Sequence, residues 1–355
     1  MAYTNIDDPS AYFQVATYTG NGSTQSITND GNSDMQPDWV WIKSRSNASW
    51  HSLQDSSRGA TKTLFTNTTN AEITYTDAQT SFDSDGFSLG ADASGGSVNV
   101  SSRTYVAWQW KANGGTTVSN TDGSITSTVQ ANQDAGFSIV TWAGTASTAT
   151  IGHGLGVAPK FMIVRARDKG VPTSWIVFHK DGSTSDDDYF ILQGTFAKGT
   201  QAGLWNNQYP SSTVFGVAND FWVNSASTNY IAYCFAEKQG YSKFGSYVGN
   251  GSADGPFIYT GFKPAWIMLK DTESSGDNWQ IIDTKRDPYN PQLKYVQADN
   301  NGAEGDFTFV DILSNGFKFR STYFVGPNVT GHKTIYMAFA ENPFVTSTGI
   351  PTTAR

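Results

Sequence analysis

The chain has 355 residues, a formal net charge of −8 and only 15% charged residues, against 14% aromatics and 35 glycines. A nucleic-acid binder needs a basic footprint to displace counterions, and the Lys and Arg here are scattered singly, so that partner is excluded. Aromatics and glycines set among Asn, Ser and Thr, with no stretch holding the 3.6-residue period, exclude a helical protein and point to many short strands joined by polar turns.

In chain order, the N-terminal MAYTNIDDPS is polar, and no apolar run has the length of a signal or a membrane span, so folding in the cytoplasm without membrane insertion is expected. The first unit spans residues 1–113. It carries TGNGS after Tyr18, PDWVWIK from Pro37, the segment HSLQDSSRGATK after Trp50, SFDSDGFSLG, and a closing run VAWQWKA. Proline lacks the donor a central ladder needs and suits the first residue of a strand, while the aromatic and branched residues behind it fit a pleated, buried surface. Residues 114–136 are polar and read as a connector and hinge holding one strand, Ser124–Gln130.

The second unit, 137–241, repeats the pattern with AGTAS after Trp142, PKFMIVR from Pro159 and the closing AYCFAEK; its lone Cys234 reads as a small buried hydrophobe. The third unit, 242–345, has VGNGS after Tyr247, PAWIMLK from Pro264 and the closing YMAFAEN. Residues 346–355 read as a loosely held polar tail. The prolines step by 122 and 105 residues and the closing aromatics Trp110, Phe235 and Phe339 by 125 and 104, so two independent landmarks give one spacing. The fold expected is all-β: three related β-sandwich units in tandem, each enclosing its own core.

The recurring polar constellation follows each proline segment. Trp50 precedes Asp55 and Arg58, Trp279 precedes Asp283 and Arg286, and the second unit has Trp175, His179 and Asp181 instead. An aromatic plane beside a carboxylate and a guanidinium can stack on a sugar and bond its hydroxyls. The plainer reading is an Asp–Arg pair that fixes a turn beside a core tryptophan. Trp205 and Tyr209, in the amide-rich LWNNQY, are the other ligand candidates. Asp83 and Asp85, and Asp186 to Asp188, fall short of a calcium loop and read as turns. The four histidines have no zinc spacing, and no paired carboxylates or nucleophile motif stand out, so neither metal, cofactor nor enzymatic activity is expected.

The run IDDPSAYFQ with YTGNGS, PDWVWIK, DSSRGATK, SFDSDGF and YVAWQWK, then FGSYVGNGS, GFKPAWIMLK, LSNGFKF and IYMAFAENPF, resembles an uncharacterised domain repeated in structural and tail-associated proteins of marine tailed bacteriophages. The resemblance covers nearly the whole chain. It implies sandwiches of jelly-roll or lectin-like kind and a virion component, assembled in the host cytoplasm, tail- or fibre-associated, with other virion proteins as partners and host surface glycan as the expected ligand. A homotrimer is the expected assembly. A capsid decoration protein and a glycan depolymerase are the alternatives.

Overall fold

A computed structural model describes residues 2–169, 173–322 and 326–352. Among them the only helix is a single turn, Pro9–Ala11, and the all-β expectation holds. Five strands recur in each third of the chain. An opening strand (Phe13–Thr19, Phe137–Ala143, Ser242–Val248) pairs antiparallel with a closing strand (Thr104–Trp110, Asn229–Phe235, Lys333–Pro343). On its other side the closing strand pairs with the proline-led strand (Trp39–Ser44, Phe161–Ala166, Phe262–Asp271). A return strand (Ser52–Asp55, Ile176–His179, Gln280–Asp283) and a fourth strand (Lys62–Phe65, Asp188–Ile191, Gln292–Gln297) follow outward.

The registers agree. Trp39, Phe161 and Trp266 lie opposite Trp110, Phe235 and Phe339 on one side and opposite Asp55, His179 and Asp283 on the other. Positions in the three thirds therefore match residue for residue, and the molecule is pseudo-threefold. Pro37 and Pro159 stand just ahead of their strands, as expected. Pro264 instead lies inside its strand, at a register shift. A bulge is one of the few places where a sheet tolerates a residue without an amide donor.

Because side chains alternate across a strand, each sheet has two apolar faces. The outer faces pack locally. Val40, Ile42, Ala107, Phe87 and Leu89 form one outer core, with separate counterparts around Val140, Met162 and Phe215 and around Ile267, Phe317 and Tyr336. The inner faces pack on one another in a single core drawn from all three thirds, including Trp39, Trp110, Phe161, Tyr233, Trp266 and Phe339. Ring contacts cross every boundary: Trp39 stacks on Tyr233 at 4.7 Å between centroids, Phe13 on Phe339 at 5.2 Å and Phe161 on Phe244 at 6.0 Å. Burying each such ring is worth roughly 2–3 kcal/mol, and an aromatic pair adds about 1. The thirds are thus joined through their largest core rather than each closing on its own.

Two further expectations change. The stretch 114–136 is not a free connector: Val118–Asn120 and Ser127–Asn132 are strands that add to the edge of the second sheet, outside its opening strand. Polar residues suffice there because the ladder is made by backbone groups. The tail 346–352 is tied down, with Ser347 donating its amide to Asp7 at 2.6 Å; residues 353–355 lie outside the described residues.

The Gly motif ahead of each proline strand has a steric reason. A Cβ on Gly20, Gly144 or Gly249 would lie 2.3, 2.1 or 2.3 Å from the carbonyl oxygen of Val100, Ser225 or Val329, so only glycine fits all three. Facing them, buried Asn99, Asn224 and Asn328 accept the amides of Asn21, Thr145 and Asn250 at 3.0 to 3.1 Å and donate to the carbonyls of Ser23, Ser147 and Ser252. This asparagine clamp closes the same turn three times.

Candidate functional site

The return strand ends on Asp55, His179 or Asp283, and the chain then turns. Asp55 accepts the amide of Arg58 at 2.9 Å and Asp283 that of Arg286 at 2.8 Å, while the Nδ1 of His179 accepts the amide of Gly182 at 3.1 Å. The imidazole thus does the work of the carboxylate in the second third. Each arginine also pairs its Nε with the aspartate and donates to the strand carbonyl of Leu53 or Ile281. Both ion pairs are buried, and here a charge is tolerated because the polar atoms of each carboxylate and guanidinium all have partners.

The remaining acceptor or donor of each site points to the next third. The Tyr233 hydroxyl donates to Asp55 Oδ2 at 2.7 Å, His179 Nε2 meets the Tyr336 carbonyl at 3.1 Å, and Trp108 Nε1 donates to Asp283 Oδ2 at 3.0 Å. First joins second, second joins third, and third joins first. Trp108 and Tyr233 occupy matched positions in their closing strands, two residues before Trp110 and Phe235. The ring of contacts therefore follows the pseudo-threefold axis.

A second ring runs the other way. Trp175 Nε1 donates to the Phe65 carbonyl at 2.9 Å and Trp279 Nε1 to the Ile191 carbonyl at 3.0 Å. The matched residue in the first third is His51, whose ring faces the carbonyls of Gln297 and Asn300 without a well-formed bond from Nε2. A third ring lies farther out, where the amides of Glu72, Lys198 and Glu304 donate to the carbonyls of Arg167, Thr272 and Arg45 at 2.6, 2.8 and 2.8 Å. Glu72 and Glu304 then bridge two arginines each, Arg58 with Arg167 and Arg286 with Arg45.

Electrostatics follows from this packing. Burial opposes the charge on Arg58, but Asp55, Tyr233 and Glu72 beside it outweigh burial and hold the guanidinium above its ordinary range. Burial pushes the Tyr233 hydroxyl well up. His179, buried and with a backbone carbonyl for its other nitrogen, is pushed down to about 4. Burial likewise lowers Lys43 to about 8 and raises the Cys234 thiol. These groups are set for a neutral imidazole, a protonated phenol and thiol, and a fixed guanidinium.

Of the eight residues proposed as ligand contacts, Asp55, Arg58, Trp279, Asp283 and Arg286 are therefore buried between the thirds, which matches the plainer of the two readings. Trp205 is buried too, its Nε1 donating to the Asp188 carbonyl at 3.0 Å. Tyr209 is partly exposed, with the Lys180 ammonium 3.1 Å over its ring centroid. Trp50 is 42% exposed and packs edge-on to Phe65. Asp83 accepts the hydroxyls of Ser81 and Ser88, and Asp188 is held well below the usual carboxylate range by Lys198, Thr200 and Thr184 against the opposing effect of burial. Among the described residues no group of three His, Cys, Asp or Glu is placed to hold a metal.

Sequence reasoning missed the asparagine clamp, although Asn99, Asn224 and Asn328 step by 125 and 104 residues, the same steps as the closing aromatics. It also missed Glu72 and Glu304, whose counterpart Lys198 has the opposite charge. No curated protein and no solved structure matches the chain. A family model matches residues 8–343 in one span across all three repeats, and the chain belongs to that family: the domain of unknown function DUF7483.

Proposed function

We propose that the protein is a non-enzymatic structural component of a tailed bacteriophage particle, tail- or fibre-associated, built as one rigid three-sheet body whose outer loops meet host surface glycan. The observation that carries this reading is the closed ring of Asp55, His179 and Asp283, which commits the most chemically loaded residues of every repeat to locking the thirds together. A body locked in this way suits display and the transmission of force. The resemblance of its repeated motifs to tail-associated phage proteins supplies the setting. Trp50, at the surface beside the first return strand, is the residue of the original set best placed to stack on a sugar.

Gold-labelled antibody on intact particles should mark the tail or its fibres; label on the head alone would make the protein a capsid decoration. On a glycan array the intact protein should bind a subset of bacterial surface glycans, and Trp50→Ala should lose most of that signal. An array blank at all concentrations removes the glycan part, and release of reducing ends from a bound polysaccharide would overturn the non-enzymatic part.

A further inference from the structure

The three boundaries between thirds are built alike but filled differently. At the boundary of the second third with the first, the added strand Ser127–Asn132 lies along the opening strand, with Gln130 opposite Ile139. The Gln130 side chain is fully buried. Its Nε2 donates to the hydroxyls of Ser56 and Ser57 at 3.0 and 2.9 Å, and its Oε1 accepts the amides of Asn113 and Gly115 at 3.1 and 2.9 Å. At the boundary of the third with the second no added strand is present among the described residues, and Glu237 closes the position by bridging Lys160 and Lys243 at 3.0 Å each; Phe244, the match of Ile139, is buried.

At the boundary of the first third with the third the same position is open. Val15 is the match of Ile139 and Phe244, yet it is only partly buried. It lines a groove of about 370 Å³ whose far wall is Ala265, Thr284 and Lys285, and Thr284 and Lys285 are the matches of Ser56 and Ser57. The hydrogen bonds Lys111 N to Tyr12 O and Gly20 N to Arg103 O fix the parity of the opening strand. By that parity Gln14, Ala16 and Tyr18 bond to the closing strand, whereas the main-chain groups of Val15 and Thr17 point to the free edge. An ion pair, Lys285 with Asp30, spans the mouth. Both side chains are exposed, and such a pair is worth little, so it opens at small cost.

We propose that this groove is a docking slot for an extended segment of a partner polypeptide, which adds as an antiparallel strand along Phe13–Thr19 just as Ser127–Asn132 adds along Phe137–Ala143. The chemistry of the occupant is read from the filled slot: an amide side chain opposite Val15, reaching the Thr284 hydroxyl, and a β-branched or small apolar residue opposite Ala16, where Val129 lies opposite Val140. Backbone pairing supplies the affinity and the amide the register. This inference is independent of glycan binding, which concerns the outer loops.

The probe is a fluorescein-labelled peptide copying residues 124–134 of the chain, SITSTVQANQD, titrated with the intact protein and read by polarisation. Saturable binding is expected. Thr17→Pro removes an edge donor and should weaken it about tenfold, the loss of one ladder bond with local crowding. Thr284→Trp fills the slot and should abolish it. Thermal melting checks that each variant folds, and the two variants act at opposite walls, so failure of one to fold leaves the other informative. No saturable binding, or binding that both folded variants retain, overturns the slot. Self-association of the intact protein that either variant abolishes would make a second copy the occupant and overturn the assignment to a partner.

Discussion

At residue scale, the second third shows what the site requires. Where the first and third repeats use Asp and Arg, His179 accepts one amide through Nδ1 and meets a carbonyl of the next third through Nε2, so a single neutral ring replaces an ion pair. That substitution makes stability depend on pH. Folded, His179 is pushed down to about 4 by burial; unfolded, it titrates near 6.5. Between these values the unfolded chain takes up a proton that the folded one refuses. The contribution is complete above pH ~6.5 and is lost as pH falls towards 4, up to roughly 2–3 kcal/mol for a shift of this size. Urea unfolding at pH 7 and pH 4.5 should show this loss, and His179→Gln, less stable at pH 7, should show a smaller difference between the two. An unchanged difference in the variant would place the proton uptake elsewhere.

Residue scale is also where the sequence misled most easily. Asp55, Arg58, Asp283 and Arg286 were legible as a recurring set, but their partners Tyr233 and Trp108 lie 178 and 175 residues away in sequence, and no spacing announces a contact that distant. The sequence pattern aligns Trp50 with Trp279, whereas the register matches Trp279 to His51. In a strand context one residue exchanges the two faces. The slip moved the match from a buried position to an exposed one.

At the scale of elements, the proline-led and closing strands were legible because they are apolar runs buried on both faces. Val118–Asn120 was not, because a polar strand held by a ladder carries no apolar signature, whereas Ser127–Asn132 was legible in part, as a strand over Ser124–Gln130 placed in a connector instead of at a sheet edge. The second of these does more than connect. Gln130 holds the hydroxyls of Ser56 and Ser57 and the amides of Asn113 and Gly115, so Gln130→Ala removes four part-buried hydrogen bonds at once and should cost about 2 kcal/mol. Chemical denaturation would check this, with Val118→Ala, an exposed change on the neighbouring strand, as the comparison expected near zero. Equal effects from the two would mean that the strand is only a tether.

At the scale of the whole molecule, the threefold spacing was legible, but how the thirds share their interior was not. Repeats in tandem read the same in sequence whether each closes on itself or all three face a common axis. What decides is which face of each sheet is the more aromatic, and here Trp39, Trp110, Phe161, Phe235, Trp266 and Phe339 all face inward. An isolated third would expose that face to water, a patch far larger than a soluble domain tolerates. The family match across residues 8–343 as one domain accords with this arrangement.

The most direct test is calorimetric unfolding of the intact chain under reversible conditions. A shared core predicts one transition, with calorimetric and van't Hoff enthalpies equal. Two or three resolved transitions, or a calorimetric enthalpy two to three times the van't Hoff value, would show that the thirds unfold independently and would contradict the common core.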